Sequence, residues 1–388
     1  PGFPFLQAAM KPPWNGRSLN KSLVAVSIAA LLAVFSAGSS ASAAVSPDQS
    51  QGGYTYLPRA KGPLKVAGSP TGLLTTDRNG YGHSDLEVLN GPQGIFQLFS
   101  NSDGKLALES STTLPGASLL SDSLGTFADA NRPVHAFVQP DQGKITVTQF
   151  IEANSTNDIA TEFQIGTRPS SATPLSSLFS QIFLPTDLAG LAVTDEVENT
   201  FSYVQTTIGH GGDTVASTPV GTQPVAADSF NESAWFIASR GSDDISVVRL
   251  YAGDAHPIPY LQEVQKLPVG ESPVDVVNLD PRGPEQIIAV ANRGSDSVSI
   301  LGLADESTGE MKVNQEISVG DQPTSVTPIR INDDRRFDLA VTNSGSDDVS
   351  LLINDGGEHF SRGQRIEVGD RPVAATAMRL NRYFGDDL

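Results

Sequence analysis

Ala291-Asn-Arg-Gly-Ser-Asp-Ser-Val-Ser-Ile-Leu301 is the stretch whose recurrence decides the fold. It returns upstream as Ala238-Ser-Arg-Gly-Ser-Asp-Asp-Ile-Ser-Val-Val248 and downstream as Thr342-Asn-Ser-Gly-Ser-Asp-Asp-Val-Ser-Leu-Leu352, with starts 53 and 51 residues apart. A second marker, an apolar residue followed by Gly-x-x-Pro, runs in phase with it. It falls at Val220-Gly221 to Pro224, Val269-Gly270 to Pro273, Val319-Gly320 to Pro323 and Val368-Gly369 to Pro372, at spacings of 49, 50 and 49. Weaker copies at Ile165, Leu114 and Val66 extend the array upstream. A fixed period of this size marks a propeller or solenoid.

Each period reads as four short strands. In the fifth, 274–278 and 287–291 are β-branched-rich runs bounded by turn residues, 298–300 alternates, and 313–319 leads into the next marker. The Gly-Ser-Asp link supplies the glycine and short polar side chains that a tight hairpin needs. No window outside the N-terminal segment sustains a 3.6-residue apolar period, which argues against a helical repeat. A four-stranded sheet cannot bury both faces alone, whereas a ring of them can. The expected fold is therefore all-β, a seven-bladed β-propeller with the last blade incomplete. Six repeats of about fifty residues start from 66, and a seventh starts at 368 and stops at Leu388. Residues 54–66 precede the first marker as 360–368 precede the last, and are expected to supply the outer strand of the closing blade.

The N-terminal segment reads differently. Residues 1–9 form an upstream extension, 10–44 a secretory signal and 45–53 a linker, ahead of the propeller at 54–388. Lys11, Arg17 and Lys21 make the basic region of the signal, and an apolar run from Leu23 to Phe35 follows. Ala41-Ser-Ala-Ala44 supplies the small residues that signal peptidase requires. The run is short of the roughly 20 residues that cross a bilayer. No membrane span is expected after signal removal, and the mature chain is expected to be secreted, periplasmic or at the cell surface, as a monomer.

Composition narrows the function. The chain holds 44 acidic against 25 basic residues, a net charge of −19. Nucleic acid and anionic lipid demand a basic footprint, so a chain this acidic is a poor candidate for either and neither is expected as a partner. There is no cysteine, which removes disulfides, thiolate catalysis and zinc–thiolate sites.

The motif at 291–301, followed by Val319-Gly-Asp-Gln-Pro323, resembles the YVTN-type propeller repeats of secreted microbial proteins. Asp77-Arg-Asn-Gly-Tyr-Gly-His-Ser-Asp-Leu-Glu-Val88 and Phe337-Asp-Leu-Ala-Val-Thr-Asn343 are similar to the related FG-GAP/VCBS repeats. The resemblance implies a propeller in a secreted setting, among families that include adhesins and carbohydrate-associated proteins.

Asp77, Asn79 and Asp85 form a candidate calcium loop, because several oxygens around glycines can curl about a hard cation. FG-GAP-type repeats add an acid at the fifth position, which is Tyr81 here. In a four-stranded meander the blade-to-blade link and the hairpin between strands two and three emerge on one face. That face would collect Arg240, Asp243, Asp244, Arg293, Asp296, Asp347 and Asp348 as a docking surface for a protein or carbohydrate partner. The competing reading is that Asp merely suits such turns by bonding backbone. No nucleophile elbow, phosphate loop or paired-histidine metal motif appears. The expected function is non-catalytic binding through the loop face, as in adhesion. The alternative is a metal-dependent hydrolase of lactonase type, with channel acids from several blades holding one cation.

Overall fold

A computed structural model gives the fold. It describes residue 64 and, a few single or paired positions excepted, residues 66–76, 84–120, 134–149, 159–174, 188–207, 211–279 and 286–377. Residues 1–63, which include the expected signal and linker, lie outside that set.

The described residues form six four-stranded antiparallel sheets, spanning 69–113, 119–164, 169–219, 224–268, 273–318 and 323–367. In every sheet the spatial order of the strands follows the chain. The fifth shows how the repeat folds. Its strands are Pro273–Asn278, Ile288–Asn292, Ser297–Asp305 and Glu310–Ser318. The second strand is wholly buried, whereas the fourth exposes most of its residues at the rim.

The first strands stand nearest the centre and bond to one another directly. Thr173 Oγ1 donates to Ala227 O at 2.7 Å. Asp228 and Asp275 accept from the backbone N–H groups of Asn278 and Val326, at 2.8 and 2.9 Å.

Strand alternation assigns one side chain to each neighbour. On the second strand of the fourth blade, Trp235 and Ile237 pack with Phe201 and Tyr203 of the third blade. Phe236 and Ala238, one step out of phase, pack with Ile288 and Val290 of the fifth. Trp235 and Phe201 lie with ring centroids 5.4 Å apart. Full burial of such side chains contributes about 1.5–3 kcal/mol each. The core is thus a set of layers between blades.

The expectation of seven blades with an incomplete last one is corrected, because the structure shows six blades of four strands. The marker at Val368-Gly369 leads into 372–377, which joins no four-stranded sheet among the described residues. It is held by hydroxyl-to-backbone bonds. Thr324 and Thr327 of the sixth blade donate to Pro372 O and Ala375 O at 3.3 and 3.0 Å. Thr75 of the first blade donates to Ala377 O at 3.0 Å and so links the two ends of the array. A blade is defined by its ladder of paired strands, and one segment held by side chains does not make one.

Candidate binding face

The two sequence markers are the two halves of one latch. Asn199, Asp243, Asp296 and Asp347 end the hairpin between strands two and three, with φ of 56°, 54°, 50° and 56°. Short Asx side chains tolerate this left-handed region better than other L-residues do. In that conformation each side-chain Oδ1 accepts the N–H of the residue preceding the proline of the next blade. The pairs are Asn199–Gln223 at 2.8 Å, Asp243–Ser272 at 2.8 Å, Asp296–Gln322 at 2.7 Å and Asp347–Arg371 at 2.7 Å. The carbonyl of the same Asx residue accepts from Val220, Val269, Val319 or Val368 at 2.9–3.0 Å.

Within one blade the same two loops are also tied. Gly241, Gly294 and Gly345 donate to Thr222 O, Glu271 O and Asp321 O, each at 2.8 Å. A Cβ on Gly294 would lie 2.9 Å from Glu271 Cβ, so these glycines serve close approach while the Asx residue takes the left-handed turn. The Gly-x-x-Pro and Gly-Ser-Asp loops therefore share a face.

Asp243, Asp296 and Asp347 are on that face, but each spends its carboxylate on backbone. Asp244 and Asp348 lie buried beneath it. Asp348 accepts from Asn343 Nδ2 at 2.7 Å and pairs with Arg365. In the fourth blade Ser239 stands where the sixth has Asn343, and buried Asp244 Oδ1 has no hydrogen-bond partner among the described residues. Burial pushes the Asp244 carboxyl above the usual range, partly offset by Ser242 and Lys266. Burial likewise raises Asp338, although Asn354 N and Ile331 N donate to it at 2.8 Å each.

Arginines project from the face among exposed acids such as Glu271, Asp321 and Asp370. Arg240 reaches back to Glu196 at 3.3 Å, and Arg168 meets the same carboxylate at 3.0 Å. Arg293 reaches forward to Gln322 Oε1 at 3.2 Å. Arg168 lies inside the weak marker copy Ile165-Gly-Thr-Arg-Pro169 and was not singled out there, and Glu196 was missed because the hairpin of the third blade lacks the Gly-Ser-Asp motif.

Of the candidate calcium ligands, Asp77 and Asn79 lie outside the described residues. Asp85 is buried, and its Oδ1 accepts the N–H of Asn101 at 2.8 Å, while Asn101 Nδ2 donates to Ser84 O at 3.0 Å. Asp338, Asn354 and Phe337 repeat that arrangement in the sixth blade. Both aspartates thus tie the second strand to the third. Among the described residues no three His, Asp or Glu side chains gather as a metal centre requires. The sequence also gave no sign that His135 Nε2 would stand 3.2 Å from Glu87 Oε2, both fully buried between the first and second blades.

No protein-family model and no curated protein matches the chain. Solved structures do. A functionally unknown protein from Desulfotomaculum acetoxidans DSM 771 is similar at 11% identity and a TM-score of 0.53, over 74% of this chain and 82% of that one. BBS1N, solved in complex with ARL6DN, is similar at 14% identity and a TM-score of 0.50, over 81% of this chain and 89% of its own. Identities this low carry the fold alone.

Two outcomes follow from the latch and the buried carboxylate. Asp296→Ala is expected to destabilise by about 1–3 kcal/mol through loss of a charge-assisted bond, while Asp296→Asn stays close to wild type, as Asn199 does natively. Urea unfolding of both variants checks this. Because the native Asp244 value is raised, the folded state holds more protons than the unfolded chain between about pH 4 and the raised value, so its contribution falls as pH rises through that window. Ser239→Asn supplies the missing amide and should add about 0.5–1.5 kcal/mol at pH 7, with a smaller gain at pH 4, measured by the same unfolding.

Proposed function

We propose that this chain is a secreted, non-catalytic β-propeller that binds a protein, glycan or cell-surface ligand through its loop face. One observation carries the reading. Arg240 and Arg293 stand on loops that the repeated latch fixes, and the Arg168 N–H is held by Asp195 Oδ2 at 2.7 Å, so a partner would meet charged groups on a rigid frame. Preorganisation lowers the entropic cost of association, and arginine is enriched where binding energy concentrates. The similar propeller BBS1N was solved with a protein partner, which supports a binding role by analogy of fold. Export is supported by the basic, apolar and small-residue order of residues 10–44 and by the likeness to repeats of secreted microbial proteins. The first-strand acids Asp228 and Asp275 serve the backbone of the next blade, which favours binding over hydrolysis.

Calcium at Asp77, Asn79 and Asp85 belongs to the same proposal. It rests on the spacing of these three oxygen-bearing side chains around Gly80 and Gly82, which lets them curl about a hard cation.

The binding test pairs Arg240→Glu with Arg293→Glu and measures binding to immobilised glycans and cell-envelope proteins. Binding should fall at least tenfold with no change in melting temperature. Ligands held equally by wild type and the double variant would refute the loop-face reading. For calcium, titration should raise the melting temperature of wild type and leave Asp77→Ala unmoved. An equal response from both contradicts the site.

A further inference from the structure

A row of four ion-paired side chains crosses three neighbouring blades on the loop face. Asp141 lies in the short helical turn Pro140–Gln142, which joins strands two and three of the second blade. Its Oδ1 stands 3.5 Å from Arg168 Nη2, on the link into the third blade. Arg168 Nε is 3.0 Å from Glu196 Oε1, and Glu196 Oε2 is 3.3 Å from Arg240 Nη2 on the fourth blade. Signs therefore alternate along the row, as acid, base, acid, base. The Asp141 side chain at one end is 89% exposed and Arg240 at the other 43%, so both ends are open to a neighbour.

The frame beneath the row is rigid. Buried Asp195 accepts four backbone N–H groups, from Thr167 and Arg168 on Oδ2 at 2.6 and 2.7 Å and from Val197 and Glu198 on Oδ1 at 2.9 and 2.8 Å. One carboxylate thereby fixes both loops that carry the middle of the row. The same tie changes what the hairpin can bear. In the next three blades the position of Val197 is Gly241, Gly294 or Gly345, whose N–H donates to the link carbonyl at close approach. In the third blade that N–H turns to Asp195 instead, and a side chain stands in place of the glycine. Val197 is 54% exposed, beside Glu196.

An alternating row of this kind is its own complement. A two-fold axis between Arg168 and Glu196 sets the Arg240 of a second copy against Asp141, and the Glu196 of that copy against Arg168. Symmetry repeats both contacts in the opposite sense, which is the isologous arrangement of closed dimers. A partner of uniform sign would instead meet like charges at half of the row.

We propose that this face joins two copies of the chain in a weak, two-fold symmetric dimer, with the two Val197 side chains flanking the axis. The net charge of −19 opposes association, but screening at physiological ionic strength confines that repulsion to about 8 Å. A few ion pairs and two valines make a small interface, and small interfaces bind weakly. The dimer replaces the monomer expected of the sequence. It takes up Arg168 and Arg240, leaves Arg293 free of the contact, and does not depend on a ligand at the loop face.

Sedimentation velocity of the full mature chain in about 150 mM salt tests it. The wild-type mass should rise from one chain toward two between micromolar and millimolar concentration. Asp141→Arg places like charges at the ends of the row in a homodimer, and so does Arg240→Glu. Each alone should stay monomeric. An equimolar mixture of the two restores opposite charges at both ends and should associate at least as tightly as wild type, which separates a contact between copies from damage to either fold. Val197→Ser should weaken the dimer about tenfold through lost apolar burial. Lys312→Glu makes the same charge change as Arg240→Glu on an outer strand and should leave association unchanged. A wild type that stays monomeric at millimolar concentration, charge variants that dimerise alone as wild type does, a mixture that stays monomeric, or equal loss in Lys312→Glu overturns the proposal. Mass is the only readout, so the outcome stands apart from ligand binding at the loop face.

Discussion

One side-chain oxygen on a left-handed turn residue, 2.7–2.8 Å from the N–H of the following blade, recurs four times between Asn199 and Arg371. The geometry makes demands at both ends. The donor residues Gln223, Ser272, Gln322 and Arg371 themselves have φ of 52°, 50°, 51° and 47°. Two unfavourable backbone conformations are thus held in place by one short bond and by the adjacent carbonyl contact to the preceding valine. A sheet with two apolar faces is unstable alone. Blade-to-blade burial supplies the attraction between neighbours, and the latch fixes their register.

That division explains the distribution of charge. Aspartates dominate the markers because a left-handed turn next to an unpaired N–H favours a short acceptor. Their number therefore reports on folding. Arg240 and Arg293 project from the same loops, and the proposed recognition would fall to them. At the rim the equivalent fixing is done by the amides of Gln265 and Gln315.

The repeat was legible because both markers lie within one local turn each, and their 49–53-residue phase follows from the latch that joins them. Strand positions in the fifth unit came out within one or two residues at most boundaries for the same reason. Blade count was not legible. A marker such as Val368-Gly369 announces where a strand begins, but whether a sheet forms depends on pairing partners far along the chain. The role of the aspartates was only half legible. Their residue type suited the turn, yet their bond crosses to another blade. Glu87 with His135 and Arg240 with Glu196 join residues more than forty positions apart with no shared motif, so no spacing rule could find them. Substitution of Ser239 for the asparagine found at 292 and 343 was visible in the sequence, but its consequence for Asp244 needed the register of the second and third strands.

Native-state hydrogen exchange of single amides tests the latch most directly. The amides of Gln223, Ser272, Gln322 and Arg371 lie on exposed loops and should nonetheless exchange slowly. In Asp296→Ala the Gln322 amide should lose that protection while the other three retain theirs. Rapid exchange of all four in the wild-type chain, or unchanged protection of Gln322 in the variant, would contradict the account.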